Sequence, residues 1–112
     1  MTSLVGAVNV TSVVDDAVTL PCHTTLDKDV DWLHKDTPTS GVYYVYSNAV
    51  VYDIFKPRFT VDRRPDQGDY DLVISPVQLA DSGLYICIDD MGLGKQLVVY
   101  QLTVLPGRYF TY

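Results

Sequence analysis

The sequence has no long apolar run, few basic residues, two histidines and two cysteines. A membrane-spanning helix needs about 18 or more consecutive apolar residues, and no stretch approaches that length. With 8 Lys and Arg against 14 Asp and Glu, the formal net charge is -6, which repels nucleic acid phosphates and anionic membranes. We therefore expect no nucleic acid partner and no direct membrane insertion by this chain.

Motifs for catalysis and metal binding are also missing. His23 and His34 do not stand in a zinc-binding spacing, and two cysteines alone are too few for a four-ligand zinc site. No G-x-S-x-G motif or phosphate-binding glycine loop occurs. The aspartates do not match the calcium-loop pattern, although a calcium site in a loop stays an open alternative. We predict that the chain is not an enzyme and has no cofactor or metal, and that His34 is a packed side chain.

The composition is that of one globular domain, with 112 residues, of which 47% are hydrophobic and 20% charged. Short segments rich in Val, Thr, Tyr and Ile alternate with turn residues, and no helical period is sustained. This pattern predicts an all-β sandwich or barrel of about nine or ten strands, with a helical corner at Pro76 to Gly83. The predicted strands are Leu4 to Val14, Val18 to Cys22, Val30 to Lys35, Val42 to Tyr46, Ala49 to Ile54, Arg58 to Asp62, Tyr70 to Ser75, Leu84 to Ile88 and Gln96 to Val104.

Residues spread along the chain resemble the immunoglobulin superfamily. The segment from Asp81 to Cys87, DSGLYIC, resembles its D-x-G-x-Y-x-C signature, with Gly83 in place, and Cys22 and Trp32 precede it in the family's order. Taken alone, the two cysteines are either free thiols or one disulfide. The resemblance implies a two-sheet Greek-key sandwich with a disulfide between Cys22 and Cys87, which would stabilise the fold by roughly 4 kcal/mol. A disulfide implies an oxidising, extracellular or secretory compartment.

Further matches favour the variable type, the V-set. Arg58-Phe59-Thr60 resembles the strand opening whose arginine pairs with the signature aspartate, here Asp81. The interval between the cysteines also leaves room for the extra strands of a V domain. The resemblance covers about Asn9 to Val104. It implies structural roles, rather than ligand binding, for Cys22, Trp32, Arg58, Asp81, Gly83, Tyr85 and Cys87.

One departure concerns the last hairpin. Rearranging antigen receptors begin their last strand with F-G-x-G, whereas this chain has Met91-Gly92-Leu93-Gly94 soon after Cys87. We interpret these glycines as the tip of a hairpin. The chain is thereby similar to germline-encoded immune-type receptor V domains of fish or invertebrate chordates.

Strand alternation predicts a partner-binding face. Because Trp32 and Tyr85 point into the core, their neighbours point outward. The Val42 to Tyr46 strand contributes either Tyr44 and Tyr46 or Tyr43 and Val45, and Tyr52 borders the face. The predicted partner-binding residues, including the Asp89 to Lys95 loop, are Leu33, Lys35, Tyr44, Tyr46, Ile86, Ile88, Asp89, Asp90, Met91 and Leu93. The alternatives are that these side chains pack under that loop or the C-terminal tail, and that the loop is a solvated hairpin tip.

These features predict an extracellular recognition module of an immune-type or cell-surface receptor, binding a protein ligand or pairing with another V domain, including a second copy of itself. The alternatives are a secreted lectin-like domain that uses its end loops, and a structural adhesion domain.

We expect a V domain over residues 1–105 and a linker or stalk over 106–112. The natural protein is expected to extend beyond this ectodomain fragment. Asn9-Val10-Thr11 is a candidate N-glycosylation site on an edge strand.

Overall fold

Alternating apolar and polar residues form strands that bury one face. In the strand Asp69–Ile74, Tyr70, Leu72 and Ile74 are buried, and the residues between them are partly exposed. The computed structural model describes residues 6–89 and 95–107. In chain order, the strands are β1 (Ala7–Val13), β2 (Val18–Leu20), β3 (Val30–Lys35), β4 (Tyr43–Ser47), β5 (Val50–Val51), β6 (Phe59–Arg64), β7 (Asp69–Ile74), β8 (Gly83–Asp89) and β9 (Gln96–Leu105). Short 3-10 turns lie at Asp53–Phe55, Pro65–Gln67 and Leu79–Asp81, the last within the predicted helical corner.

The strands form two sheets that face each other across the core. One sheet has six strands in the order β1-β9-β8-β3-β4-β5, and the other has three in the order β2-β7-β6. Strand β1 runs parallel to β9, with Ala7 opposite Val99 and Val13 opposite Leu105. The remaining neighbours are antiparallel. The nine strands of the described residues confirm the predicted all-β, V-type sandwich.

The predicted disulfide connects the two sheets. Cys22 follows β2, Cys87 lies in β8, and their Cα atoms are 6.5 Å apart. Trp32 is fully buried beside them, and its indole Nε1 donates a hydrogen bond to the Tyr70 carbonyl at 2.9 Å. The Tyr100 ring stacks on the Trp32 ring, with their centroids 6.2 Å apart. The disulfide is therefore confirmed, and Trp32 fills the space between the sheets.

A corner before β8 holds the signature residues. The Tyr85 hydroxyl donates to the Asp81 carbonyl oxygen at 2.6 Å. The Arg58 guanidinium donates to both Asp81 carboxylate oxygens, at 2.7 and 3.0 Å, and these hydrogen bonds raise the pKa of Arg58. Gly83 has φ 137°, and a Cβ there would lie 2.5 Å from the Lys35 carbonyl oxygen, so only glycine fits. These contacts place all four residues in structural positions.

Candidate protein-recognition face

The side of the six-stranded sheet that faces away from the core, here called the outer face, is built by strand alternation. Tyr85 and Cys87 of β8 are buried in the core, so Ile86 between them points outward. The strand register places Leu33 opposite Ile86, and Ile86 opposite Val99. Tyr44 lies on the other side of Leu33. The four side chains of Tyr44, Leu33, Ile86 and Val99 form what we call the central row.

The central row is apolar and crosses four adjacent strands. Leu33, Ile86 and Val99 are half-buried, while Tyr44 is 44% exposed. The Tyr52 ring stacks on Tyr44 with the centroids 6.2 Å apart, which extends the aromatic surface toward β5. Half-exposed apolar side chains in the middle of a sheet, bordered by tyrosines, have the chemistry of a protein contact surface.

Two further rows flank the central row. Toward one end of the strands, Asp31 lies opposite Ile88, and Ile88 lies opposite Gln96. Toward the other end, Lys35 lies opposite Leu84, which in turn lies opposite Gln101. Leu33, Lys35, Ile86 and Ile88 thus lie on the predicted face, all of them half-buried.

Leu84 points to the outer face but is only 3% exposed. Its neighbours in the register are Lys35 and Gln101, and these long side chains flank it on both sides. Long side chains of this kind cover apolar surface with their stems while their polar ends reach water. Leu84 therefore offers little surface to a partner.

The prediction that Tyr46 lies on the outer face is wrong, because the side chain is 1% exposed and belongs to the core. A bulge in the pairing of β3 with β4 places Trp32 opposite Tyr46 but Leu33 opposite Tyr44. Val45 is the extra residue, and it is also buried in the core. Neither predicted pair therefore shares the outer face, since Tyr44 lies there while Tyr46 and Val45 point inward.

The Tyr46 hydroxyl is part of a polar cluster at the end of the sandwich. It donates to the Asp29 carboxylate at 2.9 Å and accepts a hydrogen bond from Arg63 Nε at 3.0 Å. Burial raises the pKa of Tyr46, and the Asp29 carboxylate raises it further. The hydroxyl therefore stays protonated and fixes the loop before β3 to the β6 strand.

The structure also corrects the placement of Asp89. It ends β8, is 5% exposed, and its backbone N–H donates to the Lys95 carbonyl at 3.0 Å. Asp89 is therefore not on an exposed loop, because the strand pairing continues through it. The predicted partner-binding residues Asp90, Met91 and Leu93 lie outside the described residues.

The histidines have structural neighbours. His34 is buried, with Nδ1 3.0 Å from the Leu84 carbonyl oxygen, and its ring stacks on Tyr85 at 4.3 Å. His23 Nδ1 lies 2.9 Å from an Asp69 carboxylate oxygen.

Within residues 6–89 and 95–107, no group of three or more His, Cys, Asp or Glu side chains is placed to hold a metal ion. Nor does that part of the chain contain a helix long and apolar enough to cross a membrane.

A cleft of about 300 Å³ lies at the end loops that a lectin-like domain would use. Its lining residues are His23, Thr24, Thr25, Leu26, Asp27, Pro65, Asp66, Gln67 and Gly68. This lining contains no Phe, Tyr or Trp on which a sugar ring would stack. Among the described residues, Tyr44 and Tyr52 form an exposed, stacked pair on the outer face, and Tyr43 is the other exposed tyrosine.

Comparison with known proteins defines the class. The immunoglobulin V-set domain model matches residues 6–105, and the chain belongs to this family. A curated relative is T-cell surface glycoprotein CD4 of Canis lupus familiaris, which is 30% identical over 91 residues. That match covers 79% of this chain and 20% of the CD4 chain, so this chain spans about a fifth of that relative's length.

A solved structure supports the same fold. The first Ig domain of the mouse polymeric immunoglobulin receptor has a TM-score of 0.72, with 19% identity, covering 91% of this chain and 93% of that chain. The chain is thus a V-set domain that shares the fold of that receptor domain and is similar in sequence to a T-cell surface glycoprotein. Neither relative tests the likeness to fish or invertebrate chordate receptors, or the division at residues 105 and 106, which stay predictions.

Val99 is one outer-face residue that the sequence analysis missed. The pattern around it was readable, because Tyr100 and Leu102 point into the core and the residues on either side of Tyr100 must therefore point outward. Tyr52 was placed at the border of the face, and its stacking on Tyr44 agrees with that position.

Proposed function

We propose that the chain is the extracellular recognition module of a cell-surface or immune-type receptor and that it binds protein through the outer face. The central row carries this proposal, since an antiparallel sheet usually presents polar side chains on its solvated face. Here Leu33, Ile86 and Val99 occupy the middle of that face instead. The similarity to T-cell surface glycoprotein CD4 supports the receptor class, and the disulfide supports an oxidising compartment.

The partner that suits this face best is another V domain, including a second copy of this chain. A row of apolar and tyrosine side chains meets its own copy without burying like charges. The net charge of -6 still opposes the approach of two copies over long range. Salt screens that repulsion, so self-association is expected to strengthen as ionic strength rises.

Light scattering over a concentration series at low and high salt tests the proposal. A dimer appears as twice the 12.5 kDa mass of the chain. Ile86→Asp and Tyr44→Asp are expected to abolish the dimer, because each places a desolvated charge in the central row. Leu79→Asp is the matched control, since Leu79 is 52% exposed, lies in the 3-10 turn before β8 and not on a strand of the outer face, and gives the same charge change.

Each outcome is informative when urea unfolding shows that the variants remain folded. Loss of the dimer in both central-row variants, with retention in Leu79→Asp, supports pairing through the outer face. Equal loss in all three variants contradicts it, because net charge would then be the cause. A monomer at every concentration and salt level rejects self-pairing.

A further inference from the structure

The candidate glycosylation site at Asn9 lies on the outer face. Val10 points inward and packs on the core, so Asn9 and Thr11, one residue to either side, project from the opposite side of β1. Both side chains are exposed. The acceptor side chain and the hydroxyl residue of the tripeptide are thus presented together to solvent.

The strand register fixes where a glycan on Asn9 would stand. Asn9 lies opposite Gln101 of β9, and Gln101 lies opposite Leu84 of β8. Leu84 lies opposite Lys35, so all four belong to one row of the outer face. At about 4.8 Å between strands, Asn9 is about 5 Å from the Gln101 strand but about 24 Å from the β5 edge strand.

We propose that an N-linked glycan on Asn9 covers the β1 and β9 side of the outer face and leaves the β3, β4 and β5 side open. A glycan is bulky and hydrated, so it excludes protein contact within its reach. It also covers the outer edge of β1, which is an end strand of the six-stranded sheet among the described residues and could otherwise pair with another strand. Val99, the β9 residue of the central row, then lies on the covered side, so a partner contacts the part of the row with Tyr44 and Leu33. That consequence rests on the proposed function.

Secretion of the full chain from a mammalian cell line tests the modification itself. Asn9 is followed by Val10 and Thr11, whereas the other asparagine, Asn48, is followed by Ala49 and has no acceptor pattern. Intact mass before and after enzymatic N-glycan removal is expected to show one glycan. Asn9→Gln and Thr11→Ala are expected to lack it, and the control Thr11→Ser, which keeps the hydroxyl, is expected to retain it.

Thiol labelling tests which part of the face the glycan covers. Both native cysteines are bonded to each other, so an introduced cysteine is the one free thiol. Thr103→Cys places it on β9 opposite Thr11, and Val50→Cys places it on β5 at a residue that is 53% exposed. With a bulky maleimide, glycan removal is expected to speed labelling at position 103 several-fold and to leave position 50 unchanged.

The outcomes separate this inference from the proposed function, because neither assay needs a partner. A wild-type chain without a glycan overturns the inference. So does a glycan that slows labelling at neither position, because it would then shield nothing. Equal slowing at both positions also overturns it, since the whole face would then be covered.

Discussion

Replacing Tyr85 with phenylalanine removes one hydroxyl group from a fully buried position and tests how the corner before β8 is held. The hydroxyl donates to the Asp81 carbonyl oxygen at 2.6 Å. A hydrogen bond of this kind contributes about 1 kcal/mol net, and the carbonyl left unpaired in the interior adds to the loss. We expect the free energy of unfolding to fall by about 2 kcal/mol.

Urea unfolding followed by fluorescence measures this loss, because Trp32 is the one tryptophan and is fully buried. With a slope of about 1.5 kcal/mol per molar urea, the midpoint should fall by roughly 1.3 M. Tyr44→Phe removes the same atom from an exposed ring and is expected to change stability by less than about 0.5 kcal/mol. If Tyr85→Phe matches that control at an unchanged slope, the hydrogen bond does not stabilise the corner.

The same variant has a pH signature. Burial raises the pKa of Tyr85 above the ordinary value of about 10, and the Asp81 charge acts in the same direction. The unfolded chain therefore releases this proton first. The stability contribution is complete below about pH 10 and is lost as pH rises toward the folded-state pKa, at up to about 1.4 kcal/mol per pH unit. Tyr85→Phe should make the decline above pH 10 shallower, and parallel declines would contradict this linkage.

Two further variants and one chemical reduction probe the core and the connections between the sheets. Asp81→Asn leaves the partly buried Arg58 guanidinium without its carboxylate and is expected to cost about 3 kcal/mol in urea unfolding; a loss below about 1 kcal/mol would show that the pair contributes little. Reduction of the Cys22–Cys87 disulfide should lower stability by roughly 4 kcal/mol, measured as the shift in urea midpoint with and without reductant. Leu72 is fully buried, so Leu72→Ala should lower the free energy of unfolding by about 2 to 5 kcal/mol and lower the melting temperature. The control is a leucine-to-alanine change at an exposed position. If the control lowers the melting temperature equally, the loss at Leu72 does not come from its packing.

The residues that identify the fold were predictable because each has a local requirement that few other types satisfy. Gly83 has a positive φ and no room for a Cβ. Position 85 needs an aromatic ring that lies in the core and carries a hydroxyl, which reaches the Asp81 carbonyl oxygen four residues earlier in the chain. Arg58 and Asp81 need opposite charges across one corner. Such requirements appear directly in the sequence as residue types at fixed spacing.

It was harder to predict which side chains of β4 point outward, because the sequence of this strand does not distinguish its two faces. In Val42 to Tyr46 every residue is apolar or aromatic, so no polar position indicates which side meets water. The bulge opposite Trp32 then buries Val45 and Tyr46 in succession, which breaks the period of two. Bulges depend on contacts with a partner strand, and strand alternation alone does not reveal them. The placement of Tyr46 was wrong for this reason.

The parallel pairing of β1 with β9 has a mechanical consequence. A tensile force applied between the start of β1 and the end of β9 pulls the two strands along their length in opposite directions. The hydrogen bonds from Ala7 opposite Val99 to Val13 opposite Leu105 then carry the load together instead of opening one after another. The hydrogen bonds between β1 and β9 are therefore loaded in shear. This strand pair resists stretching better than a hairpin whose hydrogen bonds break one by one from its end.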